Sequence, residues 1–188
     1  MGIASLHKRD SFGLEELGLL EDTPFRPIDT IVDLCTGAVG AAKATFIVFD
    51  TATGSLFLRS SCGLPQIRSG PIGAASRLSA SALVASELSP VSIESFSKHH
   101  ELENAMERTR FGVDSYLGAP VFGPVGEVLG VLATMSDTKR EWTKSERGLL
   151  SDFAYLLSEQ VMLRAALTTV KLMAKERSGT GPIRGPIN

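Results

Sequence analysis

The sequence predicts an α+β fold, a central antiparallel sheet layered with helices. Two pairs of apolar β-rich runs are joined by tight turns, around Thr51–Gly54 and Gly123–Gly126, and pairs of that kind make antiparallel hairpins. Helical patterns stand at both ends of the chain. The last of them opens on Thr143-Lys144-Ser145-Glu146, a capping box in which the threonine hydroxyl meets the amide three residues on and the glutamate reaches back.

The elements follow in order. Leu14, Leu17 and Leu20 have helical spacing behind Ser11, a possible N-cap. After a break at Glu21–Pro24, Thr23 can cap and Pro24 can take a first helical position, with Pro27 setting where the regular helix begins. Ile28, Ile31, Leu34, Cys35 and Val39 make its apolar stripe, and Gly40 stops it. Ala44–Asp50 and Gly54–Ser61 read as strands of one hairpin, and residues 66–77 as a loop. Leu78–Leu88 is a short helix capped by Ser79 or Ser81, Val91–Ile93 a short strand, and His99–Thr109 a polar helix. Tyr116–Phe122 and Glu127–Ser136 form the second hairpin, and the final helix runs from the capping box to about Glu176. The expected organisation is a flexible stretch over 1–10, one domain over 11–165, a coiled-coil-like helical extension over 166–177 and a disordered tail over 178–188.

Composition narrows the function. Of 188 residues, 43% are hydrophobic and 21% charged, enough for a real core. The net charge of −2 leaves no basic surplus for phosphates, so no nucleic-acid partner is expected. No segment is apolar for long enough to cross a bilayer, and the N-terminus has no signal-peptide core, so a cytoplasmic location without membrane contact is expected. Two cysteines, Cys35 and Cys62, suit a reducing compartment.

In the last helix Leu149, Phe153, Leu156, Gln160, Leu163, Leu167, Val170 and Ala174 repeat at 4-3-4-3-4-3-4, a heptad seam with one polar interruption. Leu150, Ala154, Leu157 and Val161 line a second face, suited to the sheet. The seam therefore predicts a homodimer through Leu149, Phe153, Leu156, Leu163, Leu167 and Val170, set against a plain amphipathic core helix.

Catalytic motifs are thin. Gly37–Ala44 lacks the Gly-Lys-Ser/Thr ending of a phosphate loop, and the glycines 123, 126 and 130 belong to a hairpin. His99 and Glu103 are one helical turn apart, but zinc wants three or four ligands and spacing offers no third, so the reading is a solvated helix start. A lone His99 or His100 as an axial haem ligand, or as a metal ligand, stays open. Cys62 ends a strand with Arg59 and Arg68 nearby in sequence, the most a reactive thiol could draw on here, and Cys35 reads as core. With no paired carboxylates, no enzyme is expected.

Three segments resemble the GAF domain, a small-molecule sensory module of bacterial signalling proteins. They are Leu14–Pro24 followed by Phe25 and Ile28-Asp29; Tyr116-Leu117-Gly118-Ala119-Pro120-Val121 followed by Gly126 and Leu129-Gly130; and Ser136-Asp137, Trp142-Thr143, Glu146 and Leu149-Leu150. The resemblance implies an antiparallel sheet with the terminal helices on one face and a ligand pocket on the other, formed by loops and short helices. It also implies dimers through the terminal helices. It names no cofactor. Bilin-binding members attach their chromophore through a pocket cysteine, and no cysteine follows Cys62. Free-methionine-sulfoxide reductases need pocket-side cysteines, and only Cys62 comes near. The cyclic-nucleotide signature is absent.

On that template the expected ligand-binding residues are Phe46, Val48, Phe57, Arg59, Phe96, His99, Phe111, Tyr116, Gly118 and Thr134. Alternation puts Phe46 with Val48, and Phe57 with Arg59, on shared faces, although both faces are apolar and the pattern does not say which faces the pocket. The expected function is a sensor that binds a small molecule and acts through its dimer helices on a signalling protein in trans. The alternatives are a ligand-free dimerisation scaffold and a thiol redox enzyme using Cys62.

Overall fold

A computed structural model describes residues 13–21, 23–74 and 79–179. Ser11, the 1–10 stretch and residues 180–188 of the tail lie outside them. The elements are α1 (Arg26–Val39), β1 (Lys43–Asp50), β2 (Ser55–Cys62), β3 (Gly70–Ala74), α2 (Ala80–Glu87), β4 (Val91–Ile93), α3 (Met106–Phe111), β5 (Ser115–Phe122), β6 (Val128–Ser136) and α4 (Lys144–Gly179). The six strands form one sheet in the order β3-β2-β1-β6-β5-β4, every neighbouring pair antiparallel. The α+β reading and both hairpins stand.

The sheet is apolar on both faces because each is covered. On one, the helix face, α1 and α4 pack over Ala44, Phe46, Val48, Phe57, Leu117, Ala119 and Leu132. On the other, the lobe face, α2, α3 and the turns between them pack over Ile47, Leu56, Leu58, Tyr116, Val131, Ala133 and Met135. Alternate residues of β1, β5 and β6 supply the two cores, as the two-residue period of a strand requires. At the centre Gly130 lets β6 approach β1, since a Cβ there would overlap the Ile47 carbonyl.

Four local expectations change. Leu14–Leu20 is a single turn rather than a helix: Leu19 N–H donates to Leu14 O and Gly18 N–H to Glu15 O, both at 2.8 Å. That is a Schellman closure, and Gly18 supplies its left-handed residue at φ 62°. In α1 the buried residues are Ile28, Val32, Cys35 and Val39, while Leu34 is exposed, so the stripe turns toward Val32. Its N-cap is Phe25, with no side-chain cap from Thr23, and Pro27 fills the opening turn. The 66–77 loop contains β3, an edge strand where Pro71 withholds no needed donor. Finally, His99–Thr109 divides into a 3₁₀ turn (His100–Leu102) and the start of α3, because Ala105 takes an extended ψ of 143°.

The helix termini are tied together. The capping box forms as expected: Glu146 N–H donates to Thr143 Oγ1 at 3.2 Å and Thr143 N–H to Glu146 Oε2 at 2.6 Å. Arg140 bonds the carbonyls of Gly40 at 2.7 Å and Val39 at 2.9 Å, pairs with Glu146, and lies 4.3 Å over the Trp142 ring. One guanidinium thus satisfies the carbonyl end of α1 and the acid of the α4 cap.

Candidate functional site

Two features stand out: a polar cluster inside the lobe, and the outer face of α4. The cluster begins at the amino end of α2, where Ser79 accepts from Ala82 N–H at 3.0 Å. The remaining free amides there are met by Glu107 of α3, a fully buried side chain. Its Oε2 accepts from Ala80 N–H at 3.2 Å, and its Oε1 from Ser81 N–H at 2.9 Å and Ser81 Oγ at 2.8 Å. A carboxylate at a helix amino end answers both the unpaired N–H groups and the helix dipole. Ser81 Oγ lies 3.3 Å from the Tyr116 hydroxyl. Burial first, and the nearby Glu107 charge second, push the Tyr116 phenol well above its ordinary value, against the Ser81 hydrogen bond. The ring meets Phe96 edge-on, centroids 6.3 Å apart, and folds over Gly118, where a Cβ would overlap it. Arg110 Nη1 donates to Ile72 O at 2.7 Å and holds α3 to β3.

The ten expected ligand-binding residues separate by face. Phe96, Phe111, Tyr116 and Gly118 come together in the lobe. Phe46, Val48 and Phe57 lie on the helix face, where they pack in the core with α1 and α4. Arg59 shares that face, with its Nη2 bonded to Thr23 O, and Thr134 sits beyond Leu132 and Ala133 on the same alternation. The expected sharing of faces is what the strands show; the face is the one away from the lobe. His99 and His100 are exposed. Among the described residues no three His, Cys, Asp or Glu side chains are grouped to hold a metal. Sequence reasoning does not single out Glu107, and it offers Ser81 only as an alternative helix cap, a place that Ser79 takes. Glu107 sits in a run of charged residues, and only its long-range contacts bury it.

Both thiols belong to the helix face. Cys35 is buried there, and burial, with Cys62 nearby as a lesser cause, pushes its thiol up to about 12. Cys62 is half-buried against the same core, its Sγ 3.6 Å from Thr36 Oγ1. The sheet separates both from the Tyr116 cluster.

In α4, Leu150, Ala154, Leu157, Val161 and Ala165 are buried against the sheet. Leu149, Leu156, Leu163, Leu167 and Val170 are between 36% and 62% exposed, and Phe153 is half-buried. At 36 residues the helix is about 54 Å long. Beside the exposed row runs a groove of about 300 Å³, lined by Leu88, Pro90, Pro120, Phe122, Tyr155 and Met162 among others. No helix among the described residues is long and apolar enough to cross a membrane.

The six-stranded antiparallel sheet, its pair of packed helices and its opposite lobe are a GAF architecture, and the sequence model of the GAF domain matches residues 28–161. The chain belongs to the GAF domain family. Its fold is similar to the GAF domain of an Acinetobacter phosphoenolpyruvate-protein phosphotransferase, at TM-score 0.65 and 19% identity, covering 81% of this chain and 92% of that one. It is also similar to the blue-light absorbing form of the Thermosynechococcus elongatus PixJ GAF domain, at TM-score 0.66 and 15% identity, covering 92% and 100%. A third similar fold is free methionine-R-sulfoxide reductase from Neisseria meningitidis, at TM-score 0.61 and 15% identity, covering 81% and 87%. No curated protein matches the chain in sequence.

Proposed function

We propose that the chain is a non-enzymatic, homodimeric GAF sensory module. A small molecule held between the sheet and the lobe shifts the geometry of paired α4 helices, and a signalling protein in trans reads that shift. The observation that carries this reading is α4 itself, one face sealed into the core and the other an exposed apolar row at heptad spacing. Its contact with β5, the strand that bears Tyr116, offers a route from lobe to helix. Within the apolar lobe, Ser81 and Tyr116 supply the hydroxyls, and Glu107 the carboxylate, to orient a ligand. Differential affinity for two α4 arrangements is the energetic requirement. A thiol enzyme is the weaker reading, since both thiols lie against the helix-face core.

A specific observation favours the ligand-free scaffold as second reading: the Tyr116 ring is fully buried and its hydroxyl already has a protein partner. Native mass spectrometry of freshly purified protein beside its denatured mass separates the two. The sensor reading expects a dimer with a reproducible extra mass, lost in Tyr116→Ala. A dimer of bare chain mass that also stays silent in a metabolite screen would leave the scaffold, and a monomer would end both.

A further inference from the structure

The helix face holds two arginines where the fold elsewhere puts hydrocarbon. Arg59 of β2 is 2% exposed. Its Nη2 donates to Thr23 O at 3.1 Å, while its buried Nε meets no acceptor. Arg164 of α4 lays its guanidinium over the Phe25 ring, 3.9 Å from the centroid, and its buried Nη1 also meets no acceptor. Its Nη2 backs onto Gly18, 2.7 Å from where a Cβ would stand. Both guanidiniums therefore contact the same N-terminal segment, at Gly18, Thr23 and Phe25. Burial, the largest cause, lowers the Arg59 group below the ordinary guanidinium value; the Arg164 charge adds to that, while Asp29 and Glu21 oppose it.

The two nearby carboxylates act on the Arg59 charge from a distance and pair with neither guanidinium. Asp29 Oδ1 accepts from Ser60 Oγ at 2.7 Å, and the exposed Glu21 accepts from the Thr23 hydroxyl at 3.0 Å. Among the described residues neither acid lies within the 4.0 Å of an ion pair from either guanidinium. Burying a charge without an ion-pair partner is costly, and a half-buried like charge nearby adds to the cost. A guanidinium is a planar fork whose N–H groups match the oxygens of carboxylate or phosphate, and it cannot shed its charge to escape the cost.

We propose that Arg59 and Arg164 form a second binding site, for an oxyanion of phosphate or carboxylate type, beneath the segment at Gly18, Thr23 and Phe25. It lies across the sheet from the Tyr116 cluster and is independent of any ligand there. Because Arg164 belongs to α4, an anion in this site clamps the N-terminal segment to the proposed output helix.

The test titrates the full chain with inorganic phosphate and, separately, with malonate, against chloride at matched ionic strength, reading Tm and calorimetric affinity. A saturable rise in Tm with either anion is expected; phosphate alone points to a phosphate-type ligand, malonate alone to a carboxylate. Arg164→Gln should weaken that binding by about tenfold or more, the worth of a charge-assisted bond. Arg164→Lys, which keeps the charge and loses the fork, should fall between, and carries the comparison if the glutamine variant does not fold. Arg108→Gln, on α3 in the lobe, should bind like the wild type. No rise beyond chloride with either anion, wild-type affinity in both Arg164 variants, or an equal loss in Arg108→Gln would overturn the site.

Discussion

Glu107 shows how much one side chain can decide. Its two oxygens accept three hydrogen bonds, two of them from α2 amides. Glutamine has the same shape but must turn an NH₂ toward one of those donors. Glu107→Gln should therefore cost about 1.5–3 kcal/mol, the range for a hydrogen bond to a charged group, and lower Tm by roughly 3–12 °C in a calorimeter. A shift under about 1 °C would mean the lobe does not depend on this contact. The thiols make a second residue-scale prediction. With its thiol pushed up to about 12 by burial, Cys35 stays protonated and shielded at ordinary pH. A thiol reagent should label Cys62 in the native protein and reach Cys35 only on unfolding, so Cys62→Ser should show no native labelling. Labelling of that variant at the wild-type rate would contradict the packing. That Phe96, Phe111 and Tyr116 come together was legible from their aromatic character, and the structure gathers them in the lobe core. Glu107 was not, because a buried and a solvated glutamate look alike until a partner 26 residues away in the chain is placed beside it.

Among the elements, α4 concentrates the testable energetics. Burial raises the Glu146 carboxyl, but the Thr143 and Arg140 hydrogen bonds outweigh it and leave the group below the ordinary glutamate range. A carboxyl depressed in the folded state stabilises fully above its unfolded value and loses that contribution as pH falls through the folded one. Urea titrations should find wild type more stable than Glu146→Gln by about 1 kcal/mol at neutral pH. The gap should narrow as pH falls below the ordinary glutamate value and through the depressed folded one, and a gap unchanged in acid would place the effect outside the carboxylate. The exposed row makes the complementary prediction: Leu163→Asp with Leu167→Asp should sediment as a monomer with wild-type circular dichroism. An unchanged sedimentation coefficient would reject the seam. Elements with a strong local code were readable: the 143–146 box, the glycine stop of α1 and both hairpins. The 14–20 turn and the 99–109 segment were not, since helical spacing over one or two turns does not meet the cost of nucleation, and Gly18 and Ala105 end each before it can extend.

For the whole molecule, the family and the layer arrangement were legible because they rest on the order of many weak signals. The allocation of sheet faces was not, because a sheet covered on both sides gives both sets of alternating positions the same apolar character. That is why Phe46, Val48 and Phe57 could be paired correctly and still lie under the terminal helices. The sheet's two outer strands carry a last implication. β4 is three residues long, and β3 holds Pro71 directly after Gly70, with Gly73 two residues on. Both margins are poor templates for an added strand, which disfavours main-chain pairing between chains at either side. The proposed α4 pairing would then rest on side chains alone, so that single substitutions and dilution should each undo it.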